Sequence, residues 1–515
     1  MRPNKLNSLQ WEAVTHDKGH LLIVAGPGTG KTHTLTQRVR YIIRNLPGGK
    51  KVLAITFTHK AAEEMRQRLS QQPAGVAAID GAVTVGTFHQ FCMDILRSFA
   101  DKTDLPRDFQ LASPEQIETL SRQAWPEKTN KERRLSLIDV SEWKAAAYDA
   151  PMPAGVQSYN KILRKEALLD FDDLLLEALM LLRKDPGILA ALRGTYAHIF
   201  VDEYQDINAV QRDILKMLVG GETAITAIGD PNQAIYGFRG SDLRYFERFA
   251  NDFPEATVLS LTDNYRSAKN ILSASSQVMA GAGNVRVSAL TARMYSEGRL
   301  IIHSAATDHA EAEYVTHQIE RMVGGVSLFS FDSARVAGHE QQGNWSFGDI
   351  AVLYRLNSQR VALQKALDRS GIPYQVSGSA ALDISEETID QFYPSRPVEP
   401  DISVEKVSLM TLHASKGLEF PVVFVVGCEE NILPLAMGGL TADIEEERRL
   451  FYVGMTRAKE ALFLTRAERR FLYGQTHRNG PSLFLSDIEE ELKEYEQPLK
   501  KKRRHQKDDE QLSLF

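Results

Sequence analysis

Between a short apolar run, Leu21–Ala25, and an amphipathic stretch that begins at Lys31 stands a turn made of Gly26, Pro27, Gly28, Thr29 and Gly30. No other segment restricts the fold as tightly. Beyond Lys31 the apolar residues Leu35, Val39, Ile42 and Ile43 follow the i, i+4, i+7, i+8 spacing of a helix lying on a sheet. A strand, a glycine-rich turn and a helix, in that order, make a phosphate-binding loop, in which backbone N–H groups unobstructed by Cβ atoms close around phosphate oxygens. Lys31 is then placed to reach the terminal phosphates and the Thr32 hydroxyl to ligate magnesium. Ala25 stands where the strict pattern has Gly, a departure that its small side chain tolerates. The loop predicts a bound nucleotide with Mg2+ and leaves kinases, ATPases and GTPases equally open.

The strand, loop and helix rhythm continues. Val52 to Phe57, Ile199 to Val201 and Ala224 to Ile228 are apolar runs that end in polar or glycine-rich loops, and after Thr58 the residues Ala61, Ala62, Met65 and Leu69 repeat the helical stripe. Runs of this kind, apolar throughout, suit strands buried on both faces of a doubly wound parallel sheet, whose ligands gather at the carboxyl ends of its strands. From residue 93 to 165 the strand signal fades into a helix-leaning, polar segment carrying Trp125 and Trp143, read as an inserted helical subdomain. A second α/β pattern starts near Leu300 and resumes at Val407. Residues 391–403 contain Pro394, Pro397 and Pro400 and read as a short linker. Beyond residue 490 the chain turns polar, with five consecutive basic residues from Lys500 to Arg504, and reads as a flexible tail.

The composition removes several alternatives. Charged residues make up 25% and the net charge is −6, so no overall positive charge advertises a nucleic-acid partner and any basic surface must be local. Cys92 and Cys428 stand far apart without neighbours at metal-ligand spacing, which argues against a zinc site or a disulfide framework and fits a cytoplasmic protein. The apolar runs are far shorter than the roughly 20 residues of a membrane span, and no apolar stretch follows Arg2 and Lys5 as it does in a signal peptide. No membrane partner is expected.

At the end of the run Ile199 to Val201 stand Asp202 and Glu203. Two adjacent carboxylates at a buried strand end are costly without a cation to share the site. Asp202 is therefore the candidate ligand of magnesium, and Glu203 the group that orients and deprotonates an attacking water.

The continuation Tyr204-Gln205-Asp206 completes a run that resembles the Walker B box of superfamily 1 helicases of the UvrD/Rep family. Other segments resemble further motifs of that family in the same order. They are Leu6 to Gln10 (the adenine-reading Q motif), Thr56 to Ala62, Gly86 to His89, Gly229 to Gly240, Asn264 to Ser267, Thr411 to Phe420 and Tyr452 to Lys459. The resemblance implies two RecA-like parallel-sheet domains with an inserted helical subdomain. The first domain (1A) comprises residues 1–92 and 166–275, the insertion (1B) 93–165, and the second domain (2A) 276–390 and 404–490. The tail is 491–515.

By the same resemblance Gln10 hydrogen-bonds adenine, Tyr265 stacks on it, and Glu419 contacts the ribose. Gln233, Arg266 and Arg457 reach the γ-phosphate, with the two arginines countering the charge that develops in transfer. Phe57, Tyr236 and Phe238 are the implied platforms for single-stranded DNA, Arg239 the adjoining cation, and Thr87, His89, Thr411 and His413 backbone contacts. Relatives commonly carry Arg at His33, Asn at His59 and Arg-Trp at Gly237-Phe238. They also insert a long helical subdomain, 2B, where this chain has only the residues from Gln375 to Lys406.

The implied activity is ATP-dependent helicase and translocase action on single-stranded and tailed duplex DNA, directed 3′ to 5′, in repair or replication. A DNA-dependent ATPase that displaces proteins without unwinding, and a clamp-associated DNA-binding protein with a vestigial motor, are the alternatives. Gln511, Leu512, Ser513, Leu514 and Phe515 resemble the peptide by which bacterial proteins dock on the sliding clamp, with Leu512, Leu514 and Phe515 filling an apolar groove and Gln511 making polar contacts. That peptide implies a bacterial cytoplasm and association with the nucleoid.

Overall fold

A computed structural model describes residues 6–17, 19–70, 81–281, 290–293, 296–324, 345–377, 404–436 and 443–496. Six strands form the first sheet: β1 (Leu21–Ala25), β2 (Lys51–Thr56), β3 (Val83–Thr87), β4 (Tyr196–Val201), β5 (Ala224–Gly229) and β6 (Thr257–Leu261). They are all parallel, in the order β3-β2-β4-β5-β1-β6. Side chains alternate between two cores. Ile23, Ala54, Phe200 and Ile228 pack with Leu35 and Val39 on one face, while Leu22, Leu53, Ile199 and Ala227 join a larger cluster on the other. Both faces are covered, which is why these strands read as continuous apolar runs.

The second sheet repeats the arrangement. Its strands are β7 (Arg299–Ala305), β8 (Ile350–Tyr354), β9 (Tyr374–Ser377), β10 (Val407–Thr411), β11 (Phe420–Val425), β12 (Ala458–Ala467) and β13 (Glu494–Tyr495), ordered β9-β10-β8-β11-β12-β7-β13 and again parallel. Leu300, Leu353, Val425 and Leu462 face one core, and Ile301, Val352, Phe424 and Phe463 the other. The α/β expectation of two RecA-like units is met.

Between β3 and β4 the chain makes the predicted helical excursion through Pro114–Ala124, Asn130–Glu142 and Ala154–Lys165. Trp125 stacks on Tyr159 there, and both belong to the larger core of the first sheet. Lys144 is fully buried and lies 2.7 Å from both Asp170 and Asp173, a paired charge that ties the excursion to the helix Phe171–Lys184.

Elements of secondary structure run across three of the expected boundaries. Residue 93 falls inside the helix Phe88–Ser98, and residue 275 inside the helix Lys269–Ala280, whose Ile271, Ala274 and Val278 are buried in the second core. Order also extends past residue 490, because β13 pairs with β7 and the Glu496 carboxylate accepts hydrogen bonds from the Tyr314 hydroxyl (2.8 Å) and Gln318 Nε2 (2.9 Å). A two-residue strand has no periodicity to betray it. The linker 391–403 and the peptide from Gln511 to Phe515 lie outside the described residues. Both cysteines are buried and unpaired. Among the described residues no helix is long and apolar enough to cross a membrane.

Candidate functional site: a nucleotide cleft beside an aromatic track

The phosphate loop leaves β1 as predicted. Gly28 and Gly30 take φ of +67° and +81°, and a Cβ on Gly28 would lie 2.5 Å from the Arg266 Cβ, so the loop needs glycine there for conformation and for space. Gly30 begins the helix Lys31–Arg44 without a side-chain cap, which leaves its first N–H groups available to an anion. Asn264 holds the loop from outside, its Nδ2 donating to the Pro27 carbonyl at 2.6 Å, and the Tyr265 N–H donates to the Gly28 carbonyl at 2.8 Å. Thr29 Oγ1 donates to the carbonyl of Gly26. Gln10, the expected adenine reader, is buried at the start of the helix Ser8–Thr15. Its Oε1 accepts from the Asn7 N–H and its Nε2 donates to the Thr29 carbonyl at 2.9 Å.

The carboxylates gather at the ends of β4 and β5. Glu203 adopts a left-handed backbone conformation, φ +51°, unusual for a residue with a Cβ and a mark of local strain. Its Oε1 lies 3.6 Å from Lys31 Nζ, and its Oε2 accepts from Gln205 Nε2 at 2.5 Å. Burial, with the neighbouring charge of Glu203, pushes Asp202 up to about 7. Burial acts on Glu203 in the same direction, yet Lys31 and Lys416 outweigh it and hold that carboxyl at about 2. One acid is thus ionised at neutral pH while its neighbour lacks a full counter-charge. Gln233 Nε2 donates to Asp230 at 2.7 Å, on the same rim.

The second unit closes the other side. Arg457 is buried, with Nε donating to the Val453 carbonyl and Nη1 to that of Leu418, and burial followed by repulsion from Arg266 lowers it to about 9. Arg266 Nε donates to Glu419 at 2.6 Å, and Glu419 also pairs with Lys459 at 3.0 Å. The expected ribose contact therefore engages the expected arginine finger. Lys416 went unassigned in the sequence. Its Nζ lies 2.5 Å from Asp206 and donates to the Gln233 carbonyl at 2.7 Å, bridging the two units. Its motif position was visible, but its partner is 210 residues away.

The rings of the track touch in series. Phe57 stacks on Tyr236 (5.1 Å between centroids, 18° between planes), Tyr236 meets Phe238 at 6.1 Å, and Phe238 meets the edge of His413 at 5.5 Å. The Arg239 guanidinium lies over both Tyr236 and Phe238, and Lys416 Nζ lies 4.9 Å from the centre of Tyr236. Burial lowers His89 to about 4 and His413 well below the usual range, so both offer neutral rings rather than charge. Thr87 and Thr411 use their hydroxyls locally, accepting from Gln90 and Ala414 N–H groups.

Two neighbours of the track were missed. Phe171 is 43% exposed and meets His89 edge-on at 5.6 Å. Its spacing of three, four and seven residues from Leu174, Leu175 and Ala178 places it on their helical stripe, so spacing alone reads it as core. Arg355 is buried against Glu447 and acts electrostatically on His413, while its Nη1 has no partner among the described residues.

Comparison with known proteins gives a consistent result. The family model of the UvrD/REP helicase N-terminal domain matches residues 6–254, and that of the UvrD-like helicase C-terminal domain matches residues 259–390 and 393–469. The chain is similar to the ATP-dependent DNA helicase PcrA of Staphylococcus epidermidis, 27% identical over 652 aligned residues that cover 95% of this chain and 87% of that protein. The PcrA of Staphylococcus aureus matches at the same identity over 656 residues, with the same coverage. Both alignments exceed the 515 residues of this chain, so these relatives carry long segments without a counterpart here.

Proposed function

The chain belongs to the UvrD/Rep helicase family, and on that premise we propose that it is an ATP-driven translocase and helicase moving 3′ to 5′ on single-stranded DNA. The observation that carries this reading is the shared wall between nucleotide cleft and aromatic track. Lys416 touches Asp206 of the acidic cluster, the Gln233 backbone and the Tyr236 ring at once, so a change at the phosphates is felt at a DNA platform within one side chain's reach. Closure of the two units on nucleotide, and reopening, would then shift one grip on DNA relative to the other.

In this reading Lys31 and the open helix N-terminus hold the phosphates. Glu203, kept ionised, orients the water and accepts its proton, and Arg266 and Arg457 stabilise the charge that develops. The Thr32 hydroxyl and the buried, under-compensated Asp202 carboxylate suit magnesium, which would neutralise phosphate charge there. Phe57, Tyr236, Phe238 and Phe171 stack bases.

The relatives carry long segments without a counterpart here, in keeping with the expected absence of 2B, and this favours a second reading of a translocase that displaces proteins without separating strands. The intact Lys31, Asp202, Glu203, Arg266 and Arg457 speak against a vestigial motor. We assign a bacterial cytoplasmic location and docking on the sliding clamp to the Gln511 to Phe515 peptide. Deleting it should abolish clamp pull-down and spare hydrolysis, whereas unchanged pull-down refutes that assignment. For the motor itself, Lys31→Ala should abolish hydrolysis stimulated by single-stranded DNA, and retained turnover overturns the site.

A further inference from the structure

Beside the phosphate loop a single carboxylate collects three elements. Asp263 Oδ2 accepts from Asn7 Nδ2 at 3.1 Å and, at a longer 3.4 Å, from the Tyr265 hydroxyl, while its Oδ1 accepts from Arg293 Nε at 2.8 Å. Asn7 Nδ2 also donates to the Tyr265 hydroxyl at 3.0 Å, so that hydroxyl is fixed from two sides. Tyr265 is 46% exposed, an aromatic residue open to solvent yet anchored at its polar tip. Asn7 is the cap of the first helix, its Oδ1 accepting from the Gln10 N–H at 2.7 Å, and Gln10 in turn donates to the Thr29 carbonyl of the phosphate loop. Arg293 is delivered by a two-residue strand, Thr291–Ala292, paired with Asp263–Asn264. The Arg293–Asp263 pair is too exposed at the arginine, 54%, to add much stability. Its geometric effect is the larger one, since it orients the carboxylate toward Asn7 and Tyr265.

We infer that Asp263 is a positioning residue for the nucleotide base, which holds the Tyr265 ring and the Asn7–Gln10 cap in the arrangement that receives adenine before ATP arrives. The inference rests on the assignment of Tyr265 to the base. Asp263 touches no reacting group. A side chain ordered in advance is not ordered at the expense of binding, so the effect falls on affinity and leaves the chemical step alone. It also acts on the base and not on the phosphates, which gives it a signature that general damage to the loop lacks.

The test is steady-state hydrolysis by the full chain at saturating single-stranded DNA, with inorganic triphosphate as a competitive inhibitor that has no base. Asp263→Ala should raise KM for ATP by about threefold to tenfold, with kcat within about twofold and the triphosphate inhibition constant unchanged. Tyr265→Phe, which keeps the ring and removes the anchored hydroxyl, should reproduce that shift, and the double variant should be no worse than either single one. Asp263→Asn, which retains an acceptor for Asn7 and Tyr265, should recover part of the loss. If Asp263→Ala leaves KM unchanged while Tyr265→Ala raises it, the base assignment stands and the role of Asp263 falls. If Tyr265→Ala leaves KM unchanged, the base assignment itself falls. An equal loss of triphosphate affinity in Asp263→Ala would make the residue a structural support of the loop and overturn the inference.

Discussion

Two of the buried acid clusters among the described residues are finished differently. In the second unit Glu311 and Glu429 enclose Arg470. Its Nε and Nη2 donate to Glu429 and Nη2 also donates to Glu311, while Glu311 Oε1 accepts from the Thr465 hydroxyl (2.6 Å) and the Gly427 N–H (3.0 Å), and Glu429 Oε1 accepts from the Ala467 N–H (2.8 Å) as well. Burial alone would lower Arg470, but the two glutamates raise it further above its already high range. In the nucleotide cleft Asp202, Glu203, Asp206 and Asp230 share Lys31 and Lys416. Burial leaves Asp202 and Asp206 at about 7, and Asp206 Oδ1 has no hydrogen-bond partner among the described residues. Enclosed charge of the first kind locks a fold. Charge left under-compensated is a standing cost that a phosphate and its cation can use.

Three substitutions separate the two cases, and a fourth, at an exposed ion pair, sets the scale of a surface change. The largest effect should come from Glu203→Gln, which preserves shape and removes the base. Turnover should fall by about 10²- to 10⁴-fold with ATP binding retained, as read by hydrolysis and by nucleotide titration. Arg470→Met should act on stability instead. Two buried carboxylates lose their counter-charge, at a cost of about 3–5 kcal/mol read from the denaturation midpoint.

Asp202→Asn should move stability the other way, by a gain of about 1–3 kcal/mol at pH 8. Because the folded-state value lies above the ordinary carboxyl value of 3.8, the native protein holds this proton more tightly than the unfolded chain. Its contribution to stability is present at acid pH and is lost as pH rises through about 7, so the variant should show a flatter stability profile between pH 4 and 8. A loss of stability in Asp202→Asn would erase the contrast between the clusters. The smallest change should be Arg122→Ala, which breaks an exposed pair with Glu118 and should shift the midpoint by under about 0.5 kcal/mol.

The parts that were legible in the sequence are those whose cause is local. A glycine turn between strand and helix, two acids ending an apolar run, and aromatics spaced around Arg239 each carry their chemistry within a dozen residues. Lys416 with Asp206, Arg355 beside His413, and the carboxylate of Asp263 held between Asn7 and Arg293 depend on segments brought together by the sheets, and no spacing announces them. Gln10 shows the limit within a motif. The resemblance assigns its amide to adenine, whereas in the structure that amide serves as helix cap and loop support, a use that only the hydrogen bonds reveal. The helix Lys269–Ala280, which runs across the expected division at residue 275, buries Ile271, Ala274 and Val278 in the core of the unit that follows, a placement set by packing and not by local spacing.

The most direct test of the motor assignment is ATP-driven strand separation on duplexes bearing either a 3′ or a 5′ single-stranded tail, with hydrolysis followed in the same samples. The account predicts DNA-stimulated hydrolysis together with unwinding from the 3′ tail. Hydrolysis indifferent to DNA, or unwinding only from the 5′ tail, would contradict it.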